Sequence, residues 1–381
     1  MIHTSDSPPL AAFHDGEGWR LCHKPARTLT VTMTDRENLL SLPGQVNQWL
    51  SEGPDRLAVG LISYEAAALL HHPDCTHPSS LPAAVVYLYE SAPAHSPLPT
   101  ARDAAFRLIS PFTPDWPREG YLAALARIQA YLRAGDCYQV NLAQRFSSRF
   151  TGTLWDAWLA LTAAHPAPHA CYMNYGEGVV FGVSPERFLS VRGRAVITEP
   201  IKGSQPRGQT PEEDAQLADL LQHSEKDRAE NLMIVDLLRN DLGQLCEPGT
   251  IEAAPLFQLR QFSNVQHLVS TVRGTLRAGV GPLAALLACF PGGSITGAPK
   301  RRAMEIIREL EPGPRGFYCG SLFWQRSNGD FDSSILIRTL QARQGELVCH
   351  GGGGIVHDSE PGQEYAESLF KVEKLMAALN R

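Results

Sequence analysis

With 381 residues the chain can bury a large core in one domain or two, and its 43% hydrophobic and 19% charged content is that of a folded protein rather than a disordered one. A formal net charge of -6, with no Lys/Arg cluster interleaved with aromatics, gives no general attraction for nucleic acid. No apolar run reaches the roughly eighteen residues of a membrane span, and the opening "MIHTSDSPPL" lacks the basic flank and apolar stretch of a signal peptide, so a cytosolic protein is expected.

The eight cysteines are scattered singly with no CxxC pair. That spacing argues against a disulfide framework or a zinc ribbon and predicts reduced thiols.

In chain order, "LAVGLISYEAA" and "AAVVYLYE" read as short strands, followed by a Pro/Ser-rich connector at 91–100. From 118 the pattern turns helical, with Tyr121, Leu125, Ile128 and Leu132 on one face and Gly135 placed to stop the helix. An extended stretch, "CYQVNLAQRF", and a helix at 156–164 precede hairpin-like strands in "VVFGVSPERFLSVRGRAVITEP", with a turn at Arg192-Gly193. "TEPIKGSQPRG" reads as a strand entering a tight Gly/Pro turn with Lys202 at its lip. "EKDRAENLMIVDLLRNDLG" is a helix closed by Gly243, a further helix runs through "LAALLACF", and Pro299 starts another. Hairpins are expected about Asn328-Gly329 and Gln344-Gly345, and a final helix carries "GQEYAESLFKVEKLMAALN". Short turns between strands and helices in separate blocks give an α+β fold with mainly antiparallel sheet.

Several stretches could carry chemistry. "FPGGSITGAPK" has the glycine spacing of a P-loop, but Ala298-Pro299 stand where Lys-Ser/Thr would follow, leaving a Gly-rich turn into a helix N-terminus that could face an anion. Asp227 with Glu230, and Glu364 with Glu367, each put two carboxylates on one helix face. Two such faces meeting would make an all-oxygen Mg²⁺ site, although Lys226 with Glu230 and Glu367 with Lys371 also read as ordinary i,i+4 surface pairs. Glu186, at a Ser-Pro turn, could be a general acid or a solvated carboxylate, and His267 is flanked by apolar residues as a core histidine would be. Arg338 ends the apolar strand "SSILIR", where a guanidinium could clamp a carboxylate. Lys202 is either a surface charge or, in a dry turn, a neutral amine able to attack carbon.

Taken together, "GDCYQVNLAQR", "GVSPERFL", "PIKGSQPRG", "EKDRAENLMIVDLLRNDLG", "VQHLVSTV", "FPGGSITGAPKRRAMEII", "FYCGS", "ILIRTL" and "GGGGIV…EYAESLFKVEKL" resemble, in order, the chorismate-utilising enzymes, in the branch of aminodeoxychorismate synthase component I. The resemblance covers residues 115–380, the expected chorismate-binding catalytic region. Residues 1–100 follow it loosely, chiefly in "GLISYEAA", as the N-terminal part of the same fold. It implies a single large domain like that of anthranilate synthase component I, with antiparallel sheets packed face to face and helices outside.

The resemblance further implies that Glu230 and Glu367 bind Mg²⁺, with Asp227 and Glu364 completing the metal site, and that Glu186 protonates the leaving C4 hydroxyl of chorismate. Arg338, Tyr318, Lys371 and the backbone of Gly352 match positions that hold substrate carboxylates, and Ser294 and His267 match positions near the ring. Isochorismate and salicylate synthases carry a water-activating lysine where this chain has Gln139, and anthranilate synthases carry Ala where it has Lys202. The implied reaction is attack of Lys202 on C2 and entry of ammonia at C4, giving 4-amino-4-deoxychorismate; anthranilate synthesis and a non-catalytic chorismate-binding role are the alternatives. Ser204 stands where Thr is common, and His169 where an aromatic is usual near the family's tryptophan-binding region. No cysteine lies in a GxCxG turn, so a separate glutamine amidotransferase is expected to supply ammonia, and with no room for a fused lyase, p-aminobenzoate itself is not an expected product.

Overall fold

The computed structural model describes residues 7–102, 105–262 and 265–380. Among these residues the strands form a ten-stranded sheet, a nine-stranded sheet and a small three-stranded one. The pairings along all three are antiparallel, as the short turns require.

Strand periodicity explains how the two large sheets are stacked. In Leu57–Ile62 and Ala84–Tyr89 every residue is buried, so both faces must be covered. Leu57, Val59, Leu61, Val85, Tyr87 and Tyr89 point toward Ala11, Phe13, Cys171, Met173 and Val180 of the ten-stranded sheet, forming the core between sheets. Their neighbours Ala58, Ile62, Ala84, Val86 and Leu88 point the other way, against helices Arg36–Ser51 and Glu225–Gly243. On the far side of the ten-stranded sheet, Phe181, Leu340 and Leu347 pack under helices Leu154–Ala164 and Pro361–Leu379. The result is the expected architecture: two antiparallel sheets face to face with helices outside. Residues before 100 supply strands to both sheets, Ala11–His14 and Trp19–Cys22 to one and Arg27–Val31, Leu57–Ile62 and Ala84–Tyr89 to the other.

The structure corrects three local readings, and each correction bears on function. "VVFGVSPERFLSV" is no hairpin: Gly178–Ser184 belongs to the ten-stranded sheet and Arg187–Arg192 to the nine-stranded one, so the chain crosses between sheets at Pro185-Glu186. The strand of "SSILIR" ends at Ile335, and the chain crosses back through Leu336, Ile337 and Arg338 to the strand Thr339–Arg343. The Gly-rich stretch 290–300 does not run straight into a helix. It forms a 3₁₀ turn, Gly293–Ile295, then a two-residue strand, Gly297–Ala298, paired with Gln139 and Val140, before helix Lys300–Leu310.

Burial in the inter-sheet core sets a stability expectation. Leu61→Ala should cost about 2–5 kcal/mol in urea unfolding because Leu61 is fully enclosed, whereas Leu40→Ala, on a residue 48% exposed, should cost less than about 0.5 kcal/mol.

Candidate active site

The two crossovers form one corner of the sandwich. The Glu186 carbonyl accepts from the Ile335 N–H at 3.1 Å, the Arg338 carbonyl from the Val183 N–H at 3.1 Å, and the Ser184 hydroxyl donates to the Ile335 carbonyl at 2.6 Å. Glu186 and Arg338 are thus fixed side by side by backbone at the point where strands change sheets.

Lys202 is placed by a bulge rather than a turn. In the strand Ile201–Pro206, Ile201 pairs with Val269 and Ser204 with His267, so the Lys202 strand carries one residue more than its partner across that interval. Such a bulge re-aims a side chain, and Gly203 permits it with φ +81°. A side chain at Gly203 would also strike Asp227, with a methyl 3.0 Å from its Cβ and Cγ.

The acidic pairs come from two helices, Glu225–Gly243 and Pro361–Leu379. The second lies directly on the glycine run of the strand Glu346–Ile355: a methyl on Gly351 would stand 2.2 Å from the Ser368 carbonyl oxygen. Only glycine admits so close an approach. Ser294 sits in the 3₁₀ turn, and Tyr318 lies buried with its ring stacked on His350 at 4.7 Å and 8°.

These elements enclose a cavity of about 380 Å³ whose lining includes Glu186, Lys202, His267, Ser294, Tyr318, Arg338, Gly352 and Lys371, and the four carboxylates of Asp227, Glu230, Glu364 and Glu367. Every site residue anticipated from sequence therefore meets in one space. The i,i+4 reading holds as well: Lys371 Nζ lies 2.6 Å from Glu367 Oε1 and donates to the Gly352 carbonyl at 2.9 Å, and Lys226 Nζ lies 3.9 Å from Glu230 Oε1. Lys226 also reaches Glu364 Oε1 at 3.4 Å.

Burial dominates the electrostatics. It raises Glu186 to about 7, against smaller opposite effects from the Ser294 hydroxyl and the Lys202 and Lys371 charges. It lowers Lys202, with Glu230 as the largest opposing influence, and so favours the neutral amine. Burial, with Arg338 nearby, pushes His267 down to about 3, leaving a neutral imidazole whose Nδ1 shares a 2.7 Å hydrogen bond with the Ser204 hydroxyl. Lys371 holds Glu367 below the usual carboxylate range, while burial raises Glu230. The Arg338 guanidinium has no carboxylate or hydrogen-bond partner among the described residues, and burial alone lowers its pKa. An unpaired, enclosed guanidinium is a seat for an anion.

Several polar atoms around the cavity lack partners of good geometry: His267 Nε2, Ser294 Oγ, His350 Nδ1 and both amide atoms of Gln139. Gln139 is fully buried, and a methyl on Gly354 would lie 2.7 Å from its Nε2 and 3.1 Å from Lys202 Nζ, so the amide and the amine are neighbours. His169 lies apart, in a small hollow with His14 and Asp332. Sequence reasoning missed Asn141, Lys226 and His350 as cavity residues. Only His350 carried a signal, an imidazole opening the run "HGGGGIV".

The chain matches the family model described as chorismate binding enzyme over residues 10–377. It belongs to that family. Aminodeoxychorismate synthase component 1 of Klebsiella aerogenes is 50% identical over 276 residues, 72% of this chain and 61% of the Klebsiella protein. Anthranilate synthase component 1 of Thermus thermophilus is 43% identical over 268 residues, 70% of this chain and 58% of that protein. The chain thus spans about three fifths of the length of these relatives. The crystal structure of anthranilate synthase component I from Streptococcus pneumoniae TIGR4 superposes with a TM-score of 0.80 at 25% identity, covering 99% of this chain and 94% of that one. The sandwich is therefore the fold of that synthase, as the sequence resemblance implied.

The raised pKa of Glu186 has a measurable consequence. The folded chain holds this proton more tightly than the unfolded chain, so the stability it contributes is complete below pH 4.5 and is lost as pH rises toward about 7. Glu186→Gln should therefore gain stability relative to the parent between pH 5 and pH 8, by on the order of 3 kcal/mol in urea unfolding. An equal difference at both pH values would contradict the assignment.

Proposed function

We propose that this chain is the chorismate-aminating subunit of an aminodeoxychorismate synthase, converting chorismate and ammonia to 4-amino-4-deoxychorismate and water in cytoplasmic p-aminobenzoate and folate synthesis. The observation that carries this reading is the Lys202 amine, turned by its bulge into the same cavity as Glu186 and depressed in pKa by burial. The printed name of the Klebsiella relative supports it.

Chorismate is a dicarboxylate, and the cavity offers it Arg338, Lys371, the Tyr318 hydroxyl and the backbone of Gly352. With one carboxylate on the unpaired guanidinium, the ring lies between Glu186 and Lys202. Glu186, protonated up to about pH 7, gives its proton to the C4 hydroxyl, which leaves as water. The Lys202 amine forms a bond to C2 as the ring double bonds shift. Ammonia then adds at C4, the double bonds return, and the C2–nitrogen bond to Lys202 breaks. The proton shed by the added ammonia restores Glu186, and the enolpyruvyl group stays on the ring. Neutral His267 and Ser294 face the ring as hydrogen-bonding groups without adding charge.

The acidic wall fits Mg²⁺. Asp227, Glu230, Glu364 and Glu367 make an all-oxygen set, and the Lys226 ammonium already leans on two of them. A methyl on Gly353 would lie 3.4 Å from Glu364 Oε2 and 3.6 Å from Glu367 Oε1, so the bare backbone keeps the space before the carboxylates open. Glu230 and Glu367 would hold the ion, with Asp227 and Glu364 bound directly or through water. When bound it would neutralise a substrate carboxylate in this acidic corner.

Ammonia is assigned to a glutamine amidotransferase subunit. All eight cysteines are buried free thiols, so this chain presents no exposed thiol for glutamine hydrolysis.

Intact-mass analysis tests the covalent step. Incubated with chorismate and Mg²⁺ but no ammonia, the parent chain should accumulate an adduct of chorismate less water on Lys202, and Lys202→Ala should show none. An adduct on another residue would refute the assignment. Glu186→Gln should lose roughly 10²–10⁴-fold in kcat with ammonium as donor.

A further inference from the structure

The stretch "GLISYEAA" lies outside the cavity, yet it is bonded to the cavity wall through Arg315. After the strand Leu57–Ile62 the chain forms a 3₁₀ turn, Tyr64–Ala66, with Tyr64 and Glu65 buried. Glu65 Oε1 accepts from the Arg315 N–H at 2.8 Å and Oε2 from the Gly316 N–H at 3.0 Å, while the Tyr64 N–H donates to the Gly316 carbonyl at 2.7 Å. Gln341 adds two more bonds, accepting from the Phe317 N–H at 2.7 Å and donating to the Arg315 carbonyl at 2.8 Å. The backbone leading to Tyr318 is therefore fixed group by group.

The Arg315 side chain, 1% exposed, converts this anchorage into a junction. Its guanidinium donates to Glu311 through Nε at 2.9 Å and Nη2 at 2.6 Å, to the Ile295 carbonyl at 2.9 Å and to the Asn141 carbonyl at 2.8 Å. It also lies 4.8 Å from the Tyr64 ring and 5.8 Å from the Tyr318 ring. Asn141, Ile295 and Tyr318 all line the cavity, and Ser294 is the neighbour of Ile295. Glu311 extends the junction by accepting from the Ala143 N–H at 2.9 Å.

We infer that Arg315, held by Glu65 and Glu311, is a positioning residue for the substrate-carboxylate end of the cavity, acting through Tyr318 and the segments that carry Ser294 and Asn141. The inference rests on the proposed chorismate-aminating function. A buried ion pair is weak evidence of stabilisation, since desolvation offsets much of its attraction. Its planar, multiply bonded geometry instead sets direction: one rigid cation ties the Ile295 turn and the Asn141 strand, already joined by the Asn141 N–H to Thr296 carbonyl bond at 2.9 Å, to the backbone that leads to Tyr318.

The test compares Arg315→Lys with the parent in chorismate binding by calorimetry without ammonia, and in steady-state kinetics with ammonium. The lysine keeps the charge but not the fork. KM and Kd for chorismate should rise ~10-fold or more, with KM for ammonium unchanged. Tyr318→Phe should cost less in the Arg315→Lys background than in the parent, because Arg315 acts through the placement of Tyr318. A merely structural role would lower the melting temperature and the active fraction while leaving KM for chorismate in place, and that result in a folded variant overturns the inference. Should Arg315→Lys not fold, Glu65→Gln, which keeps the shape and the arginine, should still raise KM for chorismate by roughly 3-fold, and an unchanged KM there overturns it equally. A parent chain that binds no chorismate would fail both the functional reading and the inference, whereas normal binding by parent and variants alike would fail the inference alone.

Discussion

Charge taken out of water, and the choice of whether to pair it, governs this molecule. Arg315 and Glu311 are buried together with their hydrogen-bonding capacity largely spent on each other and on the surrounding backbone. Arg338 is enclosed with no carboxylate among the described residues, and Lys202 and Glu186 face the same cavity with their charged forms penalised by burial. Paired charges hold the wall, and unpaired ones stay available to a ligand. Under the proposed function, this division would let a protein of net charge -6 gather a dianion into a pocket whose opposite side is itself acidic.

The sandwich supplies the means. Strands leave one sheet for the other at Glu186 and return at Arg338, and those crossings lie in register because backbone bonds join them. The glycine run lets helix Pro361–Leu379 come close enough to bring Glu364, Glu367 and Lys371 to the same corner. Lys202 needs the least usual device, a bulge with a left-handed glycine, because a regular strand would send alternate side chains to opposite faces.

Much of the fold was legible because local chemistry and tertiary structure agree. Gly135 does end helix Arg118–Ala134 in the left-handed conformation, and the hairpins at Asn328-Gly329 and Gln344-Gly345 form where positive φ is easiest to adopt. The crossovers were not legible, because a strand-turn-strand pattern looks the same whether its strands pair with each other or with different sheets. Lys202 looked like a turn residue because a bulge and a turn both call for Gly after a polar residue. The convergence of the acidic helices depends on contacts between residues more than a hundred positions apart, such as Lys226 with Glu364, which spacing alone cannot reveal and family resemblance could only imply. Arg315 gave no sequence signal, since nothing in "EPGPRGFYCG" distinguishes a buried junction from a solvated arginine.

Product identity tests the central claim, that Lys202 beside Glu186 directs nitrogen to C4. With chorismate, Mg²⁺ and ammonium, the purified chain should yield 4-amino-4-deoxychorismate, with no pyruvate released. Stoichiometric pyruvate with fluorescent anthranilate would contradict the account.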